Sequence, residues 1–131
     1  MIVVDASAIV EFLLGTPVGA VVGKRISDPG EEVAAPCLLD VEVAHAIWRC
    51  SLAGFINDVR AARSIEHLSA LNALRWPHEL LLPRIWALRH NFTAYDAAYF
   101  ALAESLGATL LTCDRELARD QGANCEVELI D

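Results

Sequence analysis

The chain has 131 residues, 55% of them hydrophobic and 21% charged, enough apolar surface for one compact core and too much for a disordered or low-complexity segment. Its 18 acidic residues outweigh 10 lysines and arginines, giving a net charge of −8, the opposite of the basic stripe that marks most nucleic-acid binders. Mean hydropathy is +0.38, yet Asp5, Glu11, Asp40 and Glu42 break the apolar runs well short of the ~20 residues of a membrane span.

Ile2-Val3-Val4 reads as a short strand that stops at Asp5, followed by a helix (Ala8, Ile9, Phe12, Leu13) broken by Gly15-Thr16-Pro17. The N-terminal run carries acids and no basic segment, so no secretory signal is expected and the cytoplasm is the expected location. A second helix covers Val18 to Ile26, Asp28-Pro29-Gly30 forms a turn, and Glu32-Val33-Ala34 is a brief second strand. Leu39, Val43, Ala46, Ile47 and Cys50 recur at helical spacing from Leu38 to Ala53. Asn57 to Leu74 is a more polar, outer helix with Val59, Ala62, Ile65, Leu68 and Leu71 as its apolar stripe, ended by Trp76-Pro77. A helix from Pro83 to His90 follows, with the proline at the first helical position. Tyr95 to Leu106 is apolar nearly all round and predicts a buried helix closed by Gly107. Thr109 to Thr112 predicts a buried strand, Arg115 to Asp120 a short helix, and Glu126 to Leu129 a last strand. Strands alternating with helices imply one α/β domain over residues 1–131, its mostly parallel central sheet flanked by helices.

The four cysteines (Cys37, Cys50, Cys113, Cys125) form no CxxC pair and read as buried, reduced thiols. His45, His67, His78 and His90 form no metal-binding pair. Trp48, Trp86, Tyr95 and Tyr99 read as core or dimer packing rather than base-stacking platforms.

In a parallel sheet, ligands bind beyond the carboxyl ends of the strands, and two strands here end in an acid: Val4-Asp5 and Thr112-Cys113-Asp114. Glu42 and Asp96 interrupt otherwise apolar helices, where an unpaired buried charge costs several kcal/mol. Each acid has an ordinary reading. Asp5 and Asp114 can cap the segments that follow them, Thr93-Ala94-Tyr95-Asp96 fits a capping box, and Glu42 can pair with His45 or Arg49 on its own helix. Together, however, all four acids can be placed around one end of the sheet. Converging carboxylates repel one another unless a divalent cation neutralises them, and an oxygen-only donor set points to Mg²⁺, with Mn²⁺ as a substitute.

The segments Val4-Asp5-Ala6-Ser7-Ala8, Leu38-Leu39-Asp40-Val41-Glu42-Val43, Thr93-Ala94-Tyr95-Asp96-Ala97-Ala98-Tyr99 and Leu110-Leu111-Thr112-Cys113-Asp114-Arg115-Glu116-Leu117 resemble PIN-domain ribonucleases, and among them the VapC toxins of toxin–antitoxin pairs. The resemblance runs in order over nearly the whole chain and implies a three-layer sandwich with a central parallel sheet. It matches Asp5, Glu42, Asp96 and Asp114 to the family's acidic, metal-binding catalytic quartet, and Ser7 and Thr112 to the small hydroxyl residues beside it. Glu116 reads first as a surface helix glutamate and second as a further candidate that would act through water, and Asp40 points to another side of its helix. Also implied are hydrolysis of RNA phosphodiester bonds with 5′-phosphate products, a homodimer, and a complex with a VapB-like antitoxin. Arg60, Arg63, Arg75 and Arg89 are candidates for a local RNA track.

Competing readings fit less well. A phosphoacceptor signalling domain binding Mg²⁺ wants a lysine near a late strand, and the only lysine is Lys24. A haloacid-type phosphatase wants Asp-x-Asp where this chain has Asp5-Ala6-Ser7. Gly19 to Arg25 resembles a P-loop one residue short, with arginine in place of the magnesium-binding hydroxyl, and reads as plain helix. A non-catalytic PIN-fold binding module is disfavoured because all four acids are present.

Overall fold

Ile2, Val3 and Val4 are β-branched and buried, a combination suited to a central strand of a parallel sheet covered on both faces. In the computed structural model, which describes residues 1–119 and 122–131, they form β1 (Ile2–Val4). This strand pairs in parallel with β2 (Val33–Pro36) on one side and β4 (Thr109–Thr112) on the other. Two edge strands, β3 (Leu74–Trp76) beside β2 and β5 (Val127–Leu129) beside β4, complete a parallel sheet of order β3-β2-β1-β4-β5.

Between β1 and β2 run α1 (Ala6–Leu14) and α2 (Pro17–Ile26), and between β2 and β3 run α3 (Leu38–Leu52) and α4 (Asp58–Ser69). From β3 the chain passes through a 3₁₀ turn (Glu79–Leu81), α5 (Leu82–Ala87) and α6 (Ala94–Leu106) to reach β4. Right-handed crossovers put α1 to α4 on one face of the sheet and, because the last crossover runs back, α5 and α6 on the other. The packing agrees: α1 meets α2, α3 and α4, and α5 meets α6. Since β2 and β4 leave β1 in opposite directions, the β1–β4 boundary is the topological switch point, where a crevice opens at the carboxyl ends of the strands.

The P-loop-like glycines serve packing. Gly19 and Gly23 lie one turn apart on α2, where a Cβ at Gly19 would stand 2.0 Å from the Glu11 carbonyl oxygen and one at Gly23 would stand 3.1 Å from the Phe12 ring. Thr16 caps the helix by accepting from the Gly19 N–H, and Pro17 opens it.

Several expected elements shift. The second strand lies at Val33–Pro36 rather than 32–34, and Pro36 pairs in register with Trp76. The helix expected to run to Leu74 stops at Ser69, and Leu74–Trp76 is the edge strand instead. Its apolar spacing continues the helical stripe, which hid the break. Arg75 makes that break possible: its guanidinium donates to the carbonyls of Leu68, Leu71 and Ala73 and pairs with Asp40 at 3.0 Å. Arg75 is therefore a structural clamp, not part of an RNA track, and Asp40 indeed faces away from the acidic group. Along α4, Val59 and Ile65 are exposed while Ser64 and Leu68 are buried, because the helix turns its small residues inward and Ser64 donates to the Arg60 carbonyl.

The helix expected over Pro83 to His90 is the shorter α5. Residues 115–119 form a turn rather than the start of a helix, and Asp120 lies outside the described residues. Cys37 is exposed and Cys50, Cys113 and Cys125 are half-buried, since all but Cys50 sit at element ends rather than in the core. Burial still pushes the Cys113 and Cys125 thiols up to about 11, which keeps them protonated. Of Trp48, Trp86, Tyr95 and Tyr99, only Tyr99 is buried; the other three are exposed. Among the described residues no single helix is long and apolar enough to cross a membrane.

Replacing Gly19 by alanine is expected to force α1 and α2 apart and to cost about 1–3 kcal/mol, the usual penalty of overpacking. Urea unfolding of Gly19→Ala against the natural chain measures it; an unchanged midpoint would show that the helices give way freely.

Candidate functional site

The register Val4↔Leu111 sets Asp5 immediately beyond β1 and next to Thr112, the last residue of β4. The Asp5 N–H donates to the Leu111 carbonyl, so the backbone is held where the side chain turns into the crevice. Its carboxylate caps α1, accepting from the Ala8 N–H at 3.0 Å and from the Ser7 hydroxyl at 2.7 Å on Oδ1, and from the Thr112 hydroxyl at 2.5 Å on Oδ2. The expected capping role is real, and it coexists with a place at the strand ends. The same two hydroxyls accept in turn: Ser7 Oγ from the Cys113 N–H, and Thr112 Oγ1 from the Asp114 N–H. They also stand 3.2 Å apart. Two hydroxyl protons serve three oxygen–oxygen contacts, and both go to Asp5 when it is ionised.

Asp114 follows β4 by two residues and accepts from the Glu116 N–H at 2.8 Å and more weakly from Leu117. It caps the turn in which Glu116 sits. Glu42 lies in the second turn of α3, a helix that springs from the carboxyl end of β2. That helix has no side-chain cap from Cys37; His78 supplies one instead, its Nε2 accepting from the Leu38 N–H at 3.0 Å. Nothing in the sequence pattern marked His78 for this, because the two residues are 40 positions apart. Asp96 sits in the first turn of α6, where Thr93 Oγ1 accepts from the Asp96 N–H.

The four acids thus come to one end of the sheet with graded burial. Asp5 is 4% exposed, Glu42 and Asp96 are half-buried, and Asp114 is exposed. Their charges act on one another. Burial raises Asp5, helped by Asp114; burial raises Glu42, helped by Asp96 and Asp5; burial raises Asp96, helped by Asp114. Tyr99 lies 1% exposed in the midst of this field, its phenol driven far above the usual range by burial and by Glu42, Asp5 and Asp96. It stays a phenol and donates to Glu42 Oε2 at 3.3 Å. Tyr99 was expected only to pack; its polar role needs the fold, since Glu42 is 57 residues away. The pairing of Glu42 with His45 or Arg49 does not form, as no ion pair of Glu42 occurs among the described residues.

Glu42 and Asp96 open onto a cleft of about 900 Å³ between α1, α3 and the start of α6, with Ser7, His45, Arg49 and Tyr95 also on its walls. Among the described residues no three Asp, Glu, His or Cys side chains are gathered tightly enough to enclose an ion. The donor set nonetheless fits a hard divalent cation. Its members are all oxygen, the ionised forms of Asp5, Glu42 and Asp96 are disfavoured by burial and by neighbouring charge, and Mg²⁺ is commonly held by one or two carboxylates plus retained water.

Residues 2–121 match the PIN domain family. The chain is 44% identical over 130 residues to Ribonuclease VapC12 of Mycobacterium tuberculosis, covering 99% of each chain. Among solved structures, PAE2754 from Pyrobaculum aerophilum is similar with a TM-score of 0.69 and 28% identity, over 96% of this chain and 81% of that one. VapBC2 from Rickettsia felis, solved with a DNA fragment from its promoter, shares the fold with a TM-score of 0.73 at 16% identity over 100% of both chains.

Because the folded state raises Asp5, Glu42 and Asp96, it holds their protons more tightly than the unfolded chain does. The stability from that protonation is fully present below the unfolded carboxylate range near ~4 and is lost as pH rises through the raised folded values. Asp5→Asn keeps a good N-cap and removes the buried charge. In buffer with chelator, it is expected to be more stable than the natural chain at pH 7.5, with the gap closing toward pH 4. Urea midpoints at several pH values check this, and a gap that widened on acidification would contradict the electrostatic account.

Proposed function

The chain belongs to the PIN-domain family, and on that premise we propose that it is an Mg²⁺-dependent endoribonuclease acting as the toxin of a toxin–antitoxin pair. The observation that carries this reading is the gathering of Asp5, Glu42, Asp96 and Asp114 at the β1–β4 switch point, each raising the pKa of at least one neighbour or raised by one. We assign these four residues as catalytic and metal-holding. A bound divalent cation supplies charge for a non-bridging phosphate oxygen, a more acidic water, and neutralisation of the leaving oxygen.

The chain's own residues do the placing. Ser7 and Thr112 hold both oxygens of Asp5, fixing its orientation and favouring its ionised form against burial. Tyr99 holds one oxygen of Glu42, a residue on the cleft wall. Half-buried Asp96 stands on the wall of the cleft by which a phosphodiester would enter, and exposed Asp114 follows the end of β4 beside it. Glu116 is an exposed neighbour of Asp114, and we assign it at most an assisting role through water. The acidic pocket would repel RNA by itself, so cation and substrate binding are coupled, and a net charge of −8 is compatible with an RNA substrate.

Partners follow from the surface. Val41, Leu52, Phe55, Val59, Leu82 and Trp86 are all more than half exposed, an apolar load that suits a homodimer and a VapB-like antitoxin covering part of it. The acidic charge suits an antitoxin with a basic segment. We place the protein in the cytoplasm, where cellular RNA is its substrate. The phosphoacceptor alternative lacks its lysine: Lys24 lies on α2, away from the cleft walls.

Asp96→Asn is expected to fold normally and to lose at least ~100-fold in Mg²⁺-dependent cleavage, more than the loss typical of residues that merely support metal ligands. Sequencing the ends of cellular RNA after brief induction reads it out: new site-specific 5′-phosphate ends with the natural chain and none with the variant. Equal ends from both would refute the site, and none from either would refute the activity. Tyr99→Phe keeps the ring and frees Glu42, so Mn²⁺ binding measured by electron paramagnetic resonance is expected to weaken roughly tenfold, as for other groups that orient a ligand. Unchanged Mn²⁺ affinity would return Tyr99 to a packing role.

A further inference from the structure

An acidic site that works on RNA still has to hold the strand on either side of the bond it cuts, and this chain has few cations to do so. Most of its arginines are already engaged. Arg25 pairs with Glu31 and Glu128, Arg75 with Asp40, Arg84 with Glu104, and Arg115 with Asp131. Arg60 donates to the Leu14 carbonyl, and Arg89 lies over the Trp86 ring and donates to the Trp86 carbonyl. Arg49 is different. It is exposed, makes none of the ion pairs found among the described residues, and, unlike Arg63 and Arg119, which make none either, lies on the walls of the cleft that contains Glu42 and Asp96, the one permanent cation there among the described residues.

Its position on α3 is specific. Glu42 and Arg49 are one heptad apart, so they lie on nearly the same helix face, drifting only ~20°, and are separated by about 10 Å along the axis at 1.5 Å per residue. His45 lies between them on the same wall. Across the cleft, Tyr95 in the first turn of α6 presents a ring that is 64% exposed, a face on which an unpaired base can stack. Carboxylates at one end, a cation at the other and an exposed aromatic opposite match an extended single strand laid along α3.

Resting on the ribonuclease reading above, we propose that Arg49 anchors a backbone phosphate of the RNA flanking the scissile bond, holding a single strand along α3 from Glu42 toward the C-terminal end of that helix. Arg49 carries no sequence information in this role; it sets the register and direction of the strand. Among the described residues its side chain makes no hydrogen bond or ion pair that its replacement would break.

The test uses the full chain and a short, fluorescently labelled single-stranded oligoribonucleotide of mixed sequence, with Ca²⁺ in place of Mg²⁺ to follow binding by anisotropy. Arg49→Gln is expected to bind roughly tenfold more weakly, the scale of one charge-assisted hydrogen bond, and to lower the slope of log affinity against log salt by about 0.7, one phosphate on a single strand. Arg49→Lys should keep the slope, since the charge remains. With Mg²⁺, cleavage of the same oligonucleotide should show a raised KM with kcat little changed, while Mn²⁺ affinity stays as in the natural chain. Unaltered RNA affinity and salt slope in Arg49→Gln would overturn the proposal and leave Arg49 to a protein partner; a fall in Mn²⁺ affinity would also overturn it, by making Arg49 a support of the metal site. If the natural chain binds the oligonucleotide but never cuts it, the ribonuclease reading fails, while the binding comparison still decides for or against Arg49.

Discussion

The pairing of β1 with β4 is the constraint on which the rest of this structure depends. Residues 2–4 and 109–111 are joined in parallel register, although more than a hundred positions separate them, and that register puts Asp5 against Thr112. The carboxylate could not otherwise be tolerated: at 4% exposure it needs the Ala8 N–H and the hydroxyls of Ser7 and Thr112 to offset its loss of water. A slip of one residue would turn Thr112 to the other face of the sheet and leave a buried charge with fewer partners. The strand register and the chemistry of the site are the same fact viewed at two scales.

Around that anchor, each acid is held by an element that begins at the carboxyl end of the sheet. Parallel crossovers require this, because a helix that follows a strand starts where the strand ends, and α6, which runs back to β4, starts at the same end. Ordinary capping is thus part of the site's construction. Asp5 caps α1, Asp114 caps the turn after β4, Thr93 caps α6 through the Asp96 N–H, and His78 caps α3. Two of these caps, Asp5 and Asp114, are themselves members of the acidic group, and burial together with the charges gathered there raises Asp5, Glu42 and Asp96 above the ordinary carboxylate range. A proposed cation answers that repulsion, while Arg75 with Asp40 and Arg84 with Glu104 neutralise two of the acids elsewhere.

What was legible in the chain was local. The β-branched run at Ile2–Val4, the all-apolar stretch that became α6, the glycine and proline stops, and acids breaking apolar patterns are all short-range signals, and they led to an α/β fold with a parallel sheet and to Asp5, Glu42, Asp96 and Asp114 as a group worth explaining. The errors were also local. Leu74 continues a helical spacing and reads as the end of a helix, since an edge strand of three residues carries too little pattern to compete. Trp48, Trp86 and Tyr95 read as core or dimer packing, and their exposure rules out only the core, because which side of a helix faces the sheet is not written in one residue.

By itself, then, the sequence determined residue chemistry and element type, because propensity, capping and periodicity act within a few positions along the chain. Only the tertiary structure decided that Tyr99 donates to Glu42, that Arg75 is a clamp, and that Arg49 shares a cleft with Glu42 and Asp96. Those relations depend on strand order and helix rotation, which are set by burial of the whole core at once rather than by any segment taken alone.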